Sequence, residues 1–233
     1  MGSALIGLLN GDARFELIHA VVSPGSVKDD QRVWFGDDAR PLRCAHDWKQ
    51  AHEIDVVIDF SGPHGVAAVL DYCLVHGTPL VTGTTGIDAH TEARLLKAAE
   101  SIAVLRASNF SLGVAVLTRL LREAMRHQAR RSLSATLPRR RARRRWRQLE
   151  HAVDTAQRLP NERDGSIGFA VIRGGDIVGE HTAMLITQGE RLELSHRATD
   201  RSIFARGALQ AAHWLRGRAP GLWHLEDVIA GPR

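Results

Sequence analysis

Three short apolar segments of this chain each end in a loop of small and hydroxyl-bearing residues. Residues 54–60 run into Ser61-Gly62, residues 80–82 into Gly83-Thr84-Thr85-Gly86, and residues 102–106 into Ala107-Ser108-Asn109-Phe110-Ser111. Helical patterns lie between them, over 65–75 and from an Asp88 cap to about Ser101. Strand and helix alternating in this way require a parallel sheet with crossover helices. In such a sheet the loops leaving the carboxyl ends of the strands form the ligand crevice. Small residues let a backbone approach a ligand closely, while hydroxyls and an amide supply hydrogen bonds. Three loops of this composition on one edge have the character of a nucleotide site.

The remainder changes style. A short helix is expected over 3–9 and a strand over 17–22. From Ser111 the apolar positions Val114, Leu117, Leu121 and Ala124 recur at helical spacing. Residues 166–173, 181–187 and 191–197 then read as strands, joined by Gly174-Gly175-Asp176 and Gln188-Gly189-Glu190 as turns. A helix over 200–215 follows. Short turns between strands point to an antiparallel or mixed sheet. The expected fold class is therefore α/β, in two parts. A Rossmann-like parallel-sheet domain spans residues 1–108, with 206–233 packing back on it. An α+β domain spans residues 109–205.

At 44% hydrophobic residues over 233 positions the chain can bury a sizeable core. No apolar run approaches the roughly 20 residues of a membrane helix. The start, Met1-Gly2-Ser3-Ala4, lacks a basic region and a cleavage pattern, so a cytoplasmic protein without membrane partners is expected. Cys44 and Cys73 have neither disulfide-framework nor metal-site spacing, and no metal is expected. Cys73, on a helical pattern, reads as a buried small hydrophobe. The formal charge of +5 misleads: residues 126–147 hold ten arginines and no Asp, Glu or Lys, and without them the balance is −5. A nucleic-acid partner is not expected from a body that is acidic.

Gly83-Thr84-Thr85-Gly86, then Ala107-Ser108-Asn109-Phe110-Ser111-Leu112-Gly113-Val114, then Gly175-Asp176-Ile177-Val178-Gly179-Glu180-His181-Thr182 occur in that order. In these motifs the chain resembles the bacterial 4-hydroxy-tetrahydrodipicolinate (dihydrodipicolinate) reductases of lysine and diaminopimelate biosynthesis. The likeness runs over about 1–126 and again from about 150 to the end. It implies an NADH- or NADPH-dependent reduction of a cyclic imine dicarboxylate to tetrahydrodipicolinate, a second domain that carries substrate, and a homotetramer. It also implies cofactor contacts from Gly83, Thr84 and Thr85 on the nicotinamide side and from Ala107, Ser108, Asn109 and Phe110 in the adjoining loop.

Two departures accompany the likeness. Family members open with a strand and a Gly-x-x-Gly-Arg-Met-Gly loop that holds the cofactor pyrophosphate, whereas Met1-Gly2 corresponds to the close of that loop. A parallel sheet lacking a central strand leaves unpaired groups on its neighbours, so either the true start lies upstream, the expected case, or the protein is damaged. The family also carries a Glu-x-His-His-x-x-x-Lys run, followed by Asp-x-Pro-Ser-Gly-Thr, that delivers the proton and binds the substrate carboxylates. The corresponding positions here are Leu137-Pro138-Arg139-Arg140-Arg141-Ala142-Arg143-Arg144-Arg145. No residue is therefore assigned a catalytic role, and low turnover is expected. His127 and His151 flank the segment outside any matching motif. The arginine run, with Trp146, has the composition of an RNA-binding tail. It reads better as translation of a shifted or partly deleted frame, exposed because buried unpaired guanidinium groups are prohibitive.

Other residues are weighed alike. Glu180-His181 has the look of an acid–base pair but reads as structural at a strand start. Asp59 either touches a ribose or caps the turn after its strand. His196 reads as a sheet histidine with its polar groups satisfied, and Trp214 and Trp223 as packing. Val21-Val22-Ser23-Pro24-Gly25 offers neither the acidic nor the basic residue that selects between ribose hydroxyl and 2′-phosphate, so NADH versus NADPH stays open. Against the reductase reading stands a catalytically inactive remnant with residual nucleotide binding or oligomerisation.

Overall fold

The computed structural model describes residues 1–35, 40–128 and 177–230. They divide into two compact units, residues 1–110 with 204–233 and residues 111–203. Residues 129–176, among them most of the arginine run, Trp146, His151, the strand expected at 166–173 and the turn expected at Gly174, lie outside the described residues.

The first unit opens with α1 (Gly2–Leu9) and β1 (Ala20–Val21). The strand expected over 17–22 is confined to two residues because its partner β3 (Arg40–Ala45) meets it only through Cys44 and Ala45. On its other side β3 pairs antiparallel with β2 (Arg32–Phe35). A second sheet has the order β4 (Val57–Asp59), β5 (Leu80–Thr82), β6 (Ala103–Arg106) and β9 (Gly221–Trp223), every pair parallel. Among the described residues β4 is bonded to β5 alone and β1 to β3 alone, so the three- and four-stranded sheets share no ladder there.

Crossover helices cover the four-stranded sheet. In α2 (Val66–His76), Val66, Leu70 and Cys73 recur at helical spacing and are fully buried, with Val69 and Tyr72 beside them. They pack with Leu80 and Val104 of the sheet and with Leu95 and Ala98 of α3 (Ala89–Ala98) in one apolar cluster. Gly77 ends α2 in the left-handed region at φ 67° and returns its N–H to the Cys73 carbonyl. Asp88 starts α3 as expected, its side chain accepting from Thr91 N.

The described residues of the second unit form α4 (Leu112–Gln128) and a hairpin of β7 (Gly179–Thr187) and β8 (Glu190–Ala198), antiparallel in a register that sets His181 opposite His196. Gly189 supplies the turn, at φ 88°. Ala183 and Leu185 pack with Leu121 and Met125 of α4. Arg126 lies at the end of α4 and pairs with Glu123 on the exposed surface. The chain then re-enters the first unit through α5 (Ser202–Leu215), β9 and α6 (Leu225–Ile229). Trp214 and Trp223 meet edge to face at 5.3 Å, as packing residues. Cys44 and Cys73 are both buried free thiols. Among the described residues no helix is long and apolar enough to cross a membrane, and no group of three or more His, Cys, Asp or Glu side chains is placed to hold a metal ion.

Candidate functional site

The register of the parallel sheet fixes where the three loops leave it. Asp59, Thr82 and Arg106 are successive partners across β4, β5 and β6, so all three strands end at one level on one edge. Ser61-Gly62, Gly83–Gly86 and Ala107–Phe110 therefore leave the same edge, as the alternation of strand and helix demands.

A buried carboxylate ties the first two loops together. Asp59, at 3% exposure, accepts from Ser61 N at 2.9 Å and Ser61 Oγ at 2.6 Å on one oxygen. Its other oxygen accepts from Thr82 Oγ1 at 2.7 Å and Thr84 Oγ1 at 2.8 Å. Thr84 Oγ1 in turn accepts from Gly62 N at 3.2 Å, and the Gly83 N–H donates to the Asp59 carbonyl at 2.9 Å. The third loop is joined through Ala107 N, which donates to the Thr82 carbonyl at 3.1 Å. Asp59 thus caps its turn, as one of the two sequence readings has it, and does much more across the strands.

Two aromatic rings floor the same edge. Phe60 and Phe110 meet edge to face at 5.4 Å, with Phe110 almost wholly buried. Gly83 lies against both: a Cβ there would overlap the Phe60 ring and come within 2.9 Å of Phe110 Cε2. Gly207 of α5 is pressed against the Phe110 carbonyl oxygen, where a Cβ has no room. That requirement escapes the sequence reading; the only sign of it is a glycine inside a good helical pattern.

The residues singled out in the sequence divide by environment. Thr84 is buried and spends its hydroxyl on Asp59, whereas Thr85 is exposed. Ala107, Ser108 and Asn109 are half-buried. Gly62 and Gly86 have φ of 94° and 77°, and the space a Cβ would take at Gly62 is open. The loop backbone is therefore accessible to a ligand that lies along it, and the edge fits a nucleotide cofactor.

In the second unit, Ser111 Oγ accepts from Val114 N at 3.2 Å at the start of α4 and lies 3.3 Å from His196 Nε2. His181 and His196 face each other with ring centroids 5.7 Å apart. Among the described residues the Nδ1 of each is buried without a hydrogen-bond partner, so His196 is only partly satisfied there, contrary to expectation. Burial holds the His181 pKa below its ordinary value, with the neighbouring His196 adding to the effect, and burial does the same for His196. Glu180 pairs instead with Arg197 across the strands at 3.6 Å, an exposed structural contact.

A Rossmann-like sheet whose strand-end loops are braced on one edge, joined to an α+β unit, defines an α/β protein of the dinucleotide-fold class. Sequence comparison narrows it. The family profile described as "Dihydrodipicolinate reductase, N-terminus" matches residues 1–110, and that described as "Dihydrodipicolinate reductase, C-terminus" matches 96–229, a range that includes the arginine run. The 4-hydroxy-tetrahydrodipicolinate reductase of Xanthomonas campestris pv. campestris is 42% identical over 242 residues, covering 98% of this chain and 93% of the relative. That of Thiobacillus denitrificans is 38% identical over 251 residues, covering 98% and 94%. A solved structure, dipicolinate-bound dihydrodipicolinate reductase from Paenisporosarcina sp. TG-14, shares the fold with a TM-score of 0.74 at 16% identity, covering 97% of this chain and 94% of that one. The chain belongs to the dihydrodipicolinate reductase family.

Proposed function

We propose that this chain reduces 4-hydroxy-tetrahydrodipicolinate to tetrahydrodipicolinate with NADH or NADPH, as a step of lysine and diaminopimelate synthesis. The observation that carries the reading is the 42% identity to a reductase of that name over 98% of the chain. Identity of that extent favours a working reductase over a remnant with residual nucleotide binding.

The nicotinamide cofactor supplies the hydride when bound. Gly83 and Thr85 line its nicotinamide side, with Thr84 behind them, and Ala107, Ser108, Asn109 and Phe110 form the adjoining wall. Two features support this assignment: the small-residue backbone is open at Gly62, and the Phe60–Phe110 floor leaves Gly83 no room for a side chain. The dicarboxylate substrate belongs to the second unit, whose counterpart to the family's His-His-x-x-x-Lys run falls within 137–145. The same family reading makes the protein a cytoplasmic homotetramer, which light scattering tests directly.

The deciding experiment follows nicotinamide absorbance with freshly generated imine substrate and either nucleotide. Substrate-dependent oxidation of NADH or NADPH is expected. Nucleotide binding without any turnover would instead support the remnant.

A further inference from the structure

We infer that Asp59 is a positioning residue whose carboxylate fixes the hydroxyl protons of Thr82 and Thr84, and so holds the Ser61 and Gly83 loops in the shape that receives the nucleotide. The inference rests on the reading of those loops as the nicotinamide-nucleotide site.

The hydrogen-bond inventory leaves little choice. Thr84 Oγ1 accepts from Gly62 N, a group that can only donate, and so turns its own proton to Asp59 Oδ2 at 2.8 Å. Thr82 Oγ1 accepts from Thr84 N at 3.3 Å and turns its proton to the same oxygen at 2.7 Å. The other oxygen is held by Ser61 N, again an obligate donor, and by Ser61 Oγ. Four donors meet on two oxygens, the full capacity expected of a carboxylate. Among the described residues Asp59 has no Lys, Arg or His within ion-pair distance, so these bonds alone compensate its burial.

Asparagine cannot reproduce this arrangement. Its amide oxygen must stay on the Ser61 N–H, which leaves its NH2 facing two hydroxyls that already point their protons at it. Both would have to turn those protons away, and each would lose the bond to a charged oxygen that braces it. The loops would loosen where the nucleotide lies along them. Thr84 is thereby a strut first: its hydroxyl has no proton to give a ligand, since that proton is spent on Asp59.

The test uses the full chain with D59N, T84V and T84S, read in two ways. Hydrogen exchange at the Gly62 and Thr84 amides reports loop order without any ligand, and titration with NADH and NADPH reports binding. D59N should speed exchange at both amides and weaken nucleotide binding by about tenfold or more, the scale of a lost hydrogen bond to a charged group. T84V should do the same, and T84S, which keeps the hydroxyl, should return both readouts to about the parental level. Unchanged exchange and affinity in folded D59N would overturn the inference. If D59N does not fold, T84V and T84S decide, and equal behaviour of the two would overturn it. A parental chain that binds neither nucleotide would defeat the reading of the site, while the exchange data would still judge Asp59.

Discussion

The carboxyl edge of the β4–β5–β6 sheet and the β7–β8 hairpin both bury ionisable side chains, and they treat them in opposite ways. At the sheet edge one carboxylate meets four donors. On the hairpin, two facing histidines each bury an Nδ1 with no partner among the described residues. Full satisfaction makes the first region rigid and tolerant of its charge, because a buried polar group is costly only when its bonds are missing. Burial without partners makes the second region favour neutral rings. The first suits the ligand role proposed for it, and the second is expected to make stability depend on pH.

Filling the backbone approach at the sheet edge should have the largest effect. Gly207→Ala drives a Cβ into the Phe110 carbonyl, which sits on a floor that cannot move without Phe60 and Gly83. A loss at or above the upper end of the roughly 1–3 kcal/mol typical of overpacking is expected in urea unfolding. A neutral result would show the edge to be softer than its contacts imply.

Thr82→Val comes next. It removes one donor to Asp59 and strands the Thr84 N–H, in a setting where Thr82 is 1% exposed. An unsatisfied buried group costs about 1–3 kcal/mol, and the same unfolding assay should register a loss in that range. No measurable loss would mean that the network relaxes around the missing hydroxyl.

The hairpin supplies the contrast in sign. Both histidine pKa values lie below the ordinary 6.5 in the folded chain. As pH falls below that value the unfolded chain takes up protons that the folded pair refuses, so stability declines until the folded values are reached. Above pH 6.5 the pair makes no pH-dependent contribution. Unfolding midpoints at pH 7.5 and 5.5 should therefore separate for the parental chain and converge for His181→Asn/His196→Asn. An unaltered separation in the double variant would assign the acid sensitivity elsewhere.

The smallest effect is the absence of one. Burial, with Asp59 as a lesser cause, raises the Cys73 thiol to about 12, and burial also raises Cys44. Neither should react with a thiol reagent at neutral pH until the chain unfolds.

The parts that could be read from the sequence were those set by local pattern. The ends of β4, β5 and β6, the Asp88 cap and the Gly189 turn each carry their chemistry within a few residues. Elements whose existence depends on a pairing partner rather than on their own residue pattern were missed. β2 and β3 have Arg32, Arg40, Pro41 and Arg43 where alternation would be sought, and they form because they pair with each other. β9 is three residues long and is defined by its ladder to β6, more than a hundred positions away. Asp59 followed by Ser61 was legible as a capped turn, but the convergence of Thr82 and Thr84 on it requires the parallel register. The unpartnered histidine nitrogens likewise follow from the cross-strand pairing of His181 with His196.

The most direct test is to map amide chemical shifts while the full chain is titrated with NADPH and, separately, NADH. Shifts concentrated at 61–62, 83–86 and 107–110, with the hairpin amides of 181–186 and 191–197 unmoved, are the predicted result. Shifts centred on the hairpin, or none with either nucleotide, would contradict the assignment of the braced sheet edge as the cofactor site.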